Sequence, residues 1–224
     1  MSAVRGGFPP WPPRIGSAAR VRTVLLLLEC LLLTSALTAQ GPTDQYDPTF
    51  RKYSKRFFGV AFDWRLFKAQ GIAESNLNPE AKSWAGARGI MQLMPSTFLD
   101  VHSRNPAFTT IDDTEWNIAA GIYYDRRLWL QWREDSVDSE DHRHFMFASY
   151  NAGRVPILKA QHIARQRTMD PRLWSSIELV APEVRGWRHR ETLTYVRRIN
   201  ESLGRMNPKG RIVRSVPRQV WVDR

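Results

Sequence analysis

From Phe58 to about Gly204 the apolar residues return every three or four positions, and no run alternates apolar with polar. Such a pattern specifies helices, because only a 3.6-residue turn gathers those residues on one face. Asp63 is placed to cap a helix carrying Leu66, Phe67, Ala69 and Ile72, which Asn78-Pro79 stops. Pro95-Ser96-Thr97-Phe98 opens another, proline being tolerated in a first turn. Asn117 to Trp132 sets Ile118, Ile122 and Trp129 on one face. His144 to Tyr150 is apolar and is terminated at Gly153, and Glu191 to Leu203 repeats Thr192, Tyr195, Val196 and Ile199. The expected fold class is all-α, with loops carrying the polar site and at most a small β or irregular element.

The ends read differently. Arg5, Arg14, Arg20 and Arg22 precede the apolar run Val24 to Leu33, and small residues follow up to Gln40. Residues 1–40 are therefore expected to be a secretory signal peptide or an uncleaved N-terminal anchor, and the protein to be exported to the periplasm or cell envelope. Glu29 is an irregularity inside the apolar run. Cys30 is the single cysteine, so no disulfide framework or cysteine metal site is available to the rest. Residues 41–57 are polar and turn-rich and read as a linker, 58–204 as the folded domain, and 205–224 as a basic tail, more a frayed terminus than a strand-like extension.

Net charge is +11, and removing residues 1–40 takes away four arginines and one glutamate, leaving +8. An anionic partner follows, but no zinc-finger spacing, RNA-recognition motif or long lysine run supports nucleic acid. The five histidines show no metal spacing, so no metal and no cofactor are expected. Nine tryptophans serve either a core or a sugar groove, with core the safer assignment for most.

One carboxylate stands out. Glu74 ends an apolar helical segment, and Gly86-Ala87-Arg88-Gly89-Ile90-Met91-Gln92-Leu93-Met94 follows after a short loop. An apolar surround of Ile72, Ala73, Ile90, Met91, Leu93 and Met94 would raise its pKa and keep it protonated for use as an acid. Glycosidases ordinarily carry two carboxylates across the scissile bond. Glu80, Asp100, Asp112, Asp113 and Glu115 all lie in segments that read as surface. A single-carboxylate mechanism, with a nucleophile supplied by the substrate, is the expectation. Taken alone, however, Glu74 would pass for a surface residue at a helix end.

These blocks together resemble the soluble lytic transglycosylase (SLT) catalytic domain, a family with a g-type lysozyme-like fold and a substrate groove. Glu74-Ser75 matches its Glu-Ser pair, and Gly89-Ile90-Met91-Gln92 its Gly-Leu-Met-Gln block. Ala148-Ser149-Tyr150-Asn151 matches its Ala-Tyr-Asn block, with Ser149 standing between alanine and tyrosine. Tyr195 matches its late tyrosine, and Asn117 to Gly121 its asparagine-to-glycine helix start. The resemblance implies cleavage of peptidoglycan glycan strands at the MurNAc–GlcNAc β-1,4 bond, with formation of 1,6-anhydro ends and Glu74 as sole acid and base. It implies that Ser83, Met91, Gln92, Tyr150, Asn151 and Tyr195 bind substrate, with Tyr150 holding Glu74 or the acetamido group. Ser75 and Gly89 would support the turn. A hydrolytic muramidase and a non-catalytic peptidoglycan-binding module are the rival readings. Cell-wall synthesis or division proteins are candidate partners, and the N-terminal segment a candidate membrane contact.

Overall fold

The computed structural model describes residues 44–133 and 139–212, all within one compact unit, Thr43–Arg224. The expected signal or anchor at 1–40 and the tail beyond residue 212 lie outside the described residues. Among these there are eight α-helices and no sheet, only isolated β-bridges. The expectation of an all-α domain with a small irregular β element is met. None of the described helices is long and apolar enough to cross a membrane.

Helix α1, Asp47–Phe58, corrects the assignment of 41–57 as a linker. Asp47-Pro48, within that turn-rich stretch, starts this helix: proline sits in the first turn, where its missing N–H costs nothing. Phe50 and Tyr53 are then buried one turn apart, and Phe57 stacks on Tyr53 with ring centroids 5.9 Å apart. Helix α2, Arg65–Ser75, begins two residues after Asp63, whose carboxylate accepts the Arg65 N–H at 3.0 Å. It ends where Asn76 and Leu77 take left-handed φ of 54° and 61°, ahead of Asn78-Pro79.

Helices α3, Pro95–Arg104, and α4, Thr114–Gln131, follow. Asp113 caps α4 by accepting the Trp116 N–H at 2.9 Å. Ile118, Ala119, Ala120 and Ile122 of α4 are wholly buried. Helix α5, Ser139–Ala152, buries Phe145, Met146, Phe147 and Ala148 on every side, as a central helix must. The Trp132 indole N–H donates to Ser149 at 2.8 Å, so this buried ring is also satisfied.

Gly153, φ 76°, ends α5 as expected and leads at once into α6, Arg154–Gln166. That helix, and the shorter α7, Trp174–Val180, were not anticipated. A three-residue 3₁₀ turn, Ala181–Glu183, leads on towards α8, His189–Gly204. Helix α8 packs on α2 and α5, and this packing positions the site.

Residues 205–212 are not frayed. Met206 bridges Ile212, and the Gly210 carbonyl accepts from the ammonium of buried Lys68 at 2.9 Å. Trp132, Trp174 and Trp187 are core, whereas Trp84 is 94% exposed.

Candidate active site

Glu74 lies in the last turn of α2, partly exposed. Burial of its carboxyl pushes the pKa up to about 7 from 4.5, against an opposing hydrogen bond from Tyr195 and the attraction of Arg198. The carbonyl end of the helix acts in the same direction as burial, since it disfavours an anion. The Tyr195 hydroxyl donates to Glu74 Oε1 at 2.6 Å. It is delivered by α8, which packs along α2. No salt bridge to Glu74 exists among the described residues, so nothing holds it permanently ionised.

The Gly89–Gln92 turn is pinned from three sides. Ser75 Oγ donates to the Ile90 carbonyl at 2.9 Å, tying the turn to the helix of Glu74. Asn117, at the start of α4, donates to the Arg88 and Ile111 carbonyls at 3.0 Å and accepts the Met91 N–H at 2.9 Å. Tyr150 of α5 donates to the Met91 carbonyl at 2.8 Å. Gly89 has φ 73°, and a Cβ there would overlap the Asn117 amide. Gly89→Ala is expected to destabilise the domain by about 2–3 kcal/mol, from left-handed backbone cost and displacement of Asn117. A thermal melt unchanged from wild type would contradict that account.

The predicted binding residues divide. Met91 is wholly buried, filling the space above Gly121, so its side chain is core and not groove wall. Its apolar neighbours explain this: in a helical domain an unbranched thioether readily fills an irregular gap. Tyr150 does not reach Glu74 with its hydroxyl, which is spent on Met91; Tyr195 makes that contact instead. Gln92, at φ 43°, directs its amide N–H groups to the Ala81 and Gly89 carbonyls at 3.1 and 2.9 Å. What it can offer a ligand is its carbonyl oxygen. Ser83 Oγ accepts the Ala87 N–H at 3.0 Å, a loop brace that leaves its own proton to donate. Exposed Asn151 accepts from Thr192 at 2.9 Å, and Thr192 accepts from the Trp187 indole at 3.1 Å. These three residues, with Arg188 and Glu191, line a separate pocket of about 220 Å³.

One pair was missed. Asp125 of α4 and Gln70 of α2 are both wholly buried, and Gln70 Nε2 donates to Asp125 Oδ1 at 3.3 Å. Burial holds the Asp125 carboxyl well above the usual range, and the like charge of Glu74 adds to this. A signal existed: Asn117, Gly121 and Asp125 recur every four residues on the face of α4 that meets the turn, while Gln70 and Glu74 stand four apart on α2. Glu80, Asp112, Asp113 and Glu115 are exposed and Asp100 is partly so, as expected.

A helical domain that presents a partly exposed, desolvated carboxyl beside a glycine-pinned turn belongs to a recognisable class. Residues 54–172 match the transglycosylase SLT domain, and the chain belongs to that family. It is 32% identical over 140 residues to a membrane-bound lytic murein transglycosylase F of Vibrio cholerae, covering 62% of this chain and 24% of that one. A relative of the same description from Desulfosudis oleivorans is 32% identical over 151 residues, covering 67% and 31%. Among solved structures, the 70 kDa soluble lytic transglycosylase of Escherichia coli superposes with a TM-score of 0.53 at 26% identity, covering 74% of this chain and 25% of that chain. The chain thus spans about a quarter to a third of the length of these relatives.

Proposed function

We propose that this domain is a peptidoglycan lytic transglycosylase in which Glu74 is the sole acid and base. The observation that carries the reading is a partly exposed carboxyl with a pKa raised to about 7, held by one phenolic hydrogen bond and by no salt bridge among the described residues. Near neutral pH such a group is populated in both protonation states, which suits it to give and then take a proton.

As an acid, Glu74 donates its proton to the oxygen leaving N-acetylmuramic acid. The substrate's 2-acetamido carbonyl attacks the anomeric carbon as that bond breaks. As a base, Glu74 then accepts the proton of the muramyl 6-hydroxyl, whose oxygen displaces the acetamido group and closes a 1,6-anhydro ring. No water is consumed. The Tyr195 hydroxyl steadies the carboxylate between the two transfers, while the Gln92 carbonyl and the Ser83 hydroxyl are the polar groups left for sugar contacts.

The hydrolytic rival needs a second carboxylate that can hold a water. Asp125 has no exposed surface with which to do so. Digestion of purified sacculi followed by mass spectrometry separates the two, since anhydro-muropeptides weigh one water less than hydrolysis products. Reducing ends on every product would end the lyase reading. Tyr195→Phe removes the bond that favours the ionised form, so the pKa of Glu74 should rise above about 7 and cleavage should slow by roughly tenfold. A pH–rate profile checks both. The names of the relatives and the net positive charge support an envelope location against an anionic wall polymer. Contact with membrane or with cell-wall synthesis proteins belongs to the same proposal.

A further inference from the structure

Two carboxyls that interact electrostatically, Glu74 of α2 and Asp125 of α4, belong to this site, and the mechanism above uses only Glu74. Asp125 and Gln70 are at 0% exposure, side by side, joined by one hydrogen bond of 3.3 Å from the amide to Oδ1. The second oxygen of each, Asp125 Oδ2 and Gln70 Oε1, is also buried and has no hydrogen-bond partner. Both are acceptors if Asp125 is ionised, and two orphaned buried acceptors on one pair is a costly arrangement. A single proton resolves both: an acid and an amide meeting edge to edge satisfy one another in two hydrogen bonds.

The surroundings agree. The ionisable groups that act on Asp125, or on which it acts, are Glu74 from α2, Tyr150 from α5, Tyr195 from α8 and Tyr124 on its own helix. All are acids, and none can supply a counter-charge. Arg127, two residues along α4, is engaged by Asp100 of α3, and Arg198 of α8 acts on Glu74. Gln70 stands one helical turn before Glu74, so whatever fixes Gln70 against α4 also fixes the rod on which Glu74 is carried.

We propose that Asp125 is a positioning residue held as the neutral acid, its Oδ2 proton donated to Gln70 Oε1, so that a cyclic acid–amide pair locks α2 against α4 behind Glu74. The proposal deepens the lyase reading and rests on it for its kinetic consequence. A neutral Asp125 has no lone carboxylate to activate water, and it places no negative charge behind Glu74 while Glu74 itself exchanges a proton.

Two measurements test it. Difference infrared spectra of wild type minus Asp125→Asn at pH 8 should show a protonated-carboxyl C=O band that shifts in D₂O. A carboxylate band in its place would overturn the proposal whether or not the protein is active. In the second, Asp125→Leu leaves the Gln70 amide unpaired, and glycan cleavage should slow by roughly tenfold or more as Glu74 loses its placement. Asp125→Asn can rebuild the pair as amide on amide, so it should restore the wild-type rate to within about twofold, with the same pH–rate profile and only anhydro products. A folded Asp125→Asn variant as impaired as Asp125→Leu would instead make Asp125 a working carboxylate, and the proposal would fail. Failure of the lyase reading itself is recognised separately, by full activity in Glu74→Gln or by hydrolysis products from wild type, and neither outcome alters the infrared band.

Discussion

Glu74→Gln is expected to lower glycan cleavage by about 10²–10⁴-fold, the usual contribution of a placed acid or base. Glutamine keeps the shape and can still accept the Tyr195 hydroxyl, but it has no proton to give and cannot take one. Binding of sacculi should be retained, which separates loss of chemistry from loss of fold. The same substitution has a second signature in stability. Folded Glu74 holds its proton to a pKa of about 7, whereas the unfolded value is 4.5. The folded state therefore binds the extra proton between these values, and stability is lost as pH rises from about 4.5 through 7. Glutamine never ionises and escapes that loss. Wild type and variant should melt alike near pH 4, and the variant should be the more stable at pH 8. A pKa difference of this size is worth roughly 3 kcal/mol at most, less here because Glu74 is partly exposed. Equal melting temperatures across that range would remove the claim that the carboxyl is desolvated, and normal activity would remove its assignment as the acid.

Lys68→Met is expected to cost about 3–5 kcal/mol, which for a chain of this size lowers Tm by about 6–20 °C. The Lys68 ammonium has no exposure and meets Asp47 at 2.6 Å, Asp44 at 3.0 Å and the Gly210 carbonyl at 2.9 Å. Methionine fills the same volume but leaves the two carboxylates, 11% and 22% exposed, without that cation. Arg211 still reaches Asp44 at 3.3 Å, so Asp47 bears most of the penalty. Burial already raises the pKa of Asp47, partly opposed by Lys68. Pairing Lys68→Met with Asp47→Asn should recover part of the lost stability, and the deficit of the single variant should shrink in acid as its carboxylates protonate. A Lys68→Met melt that matches wild type would mean the ammonium does not join the two ends of the domain.

That clamp shows where local pattern stopped being informative. Nothing in the local pattern marks Lys68, and its partners lie in segments that read by composition as a linker and a frayed tail. Asp47-Pro48 serves a turn and a helix start equally well, and only the burial of Phe50 and Tyr53 decides between them. Met91 is comparable: the Gly-Ile-Met-Gln block located the turn correctly, but a side chain at 0% exposure cannot line a groove. The backbone of that turn, through Gly89 and Asn117, carries the role that the side chain of Met91 was expected to play.

By itself the sequence determined the helical class, most helix positions, the candidate acid and its adjoining turn, since each depends on residues within a few turns of one another. The family blocks added Tyr150 and Tyr195 as candidates and offered Tyr150 to hold Glu74 or the acetamido group, with no geometry to test which hydroxyl meets Glu74. Only the tertiary structure decided that. Tyr195, 121 residues from Glu74, is brought to it by the packing of α8 on α2, while Tyr150 is turned onto the Met91 carbonyl. It also decided that the second carboxyl of the site, Asp125, is sealed behind the first. Periodicity states which face of a helix is buried, but not which face of another helix it is buried against. The chemistry at Glu74 depends on the second of these.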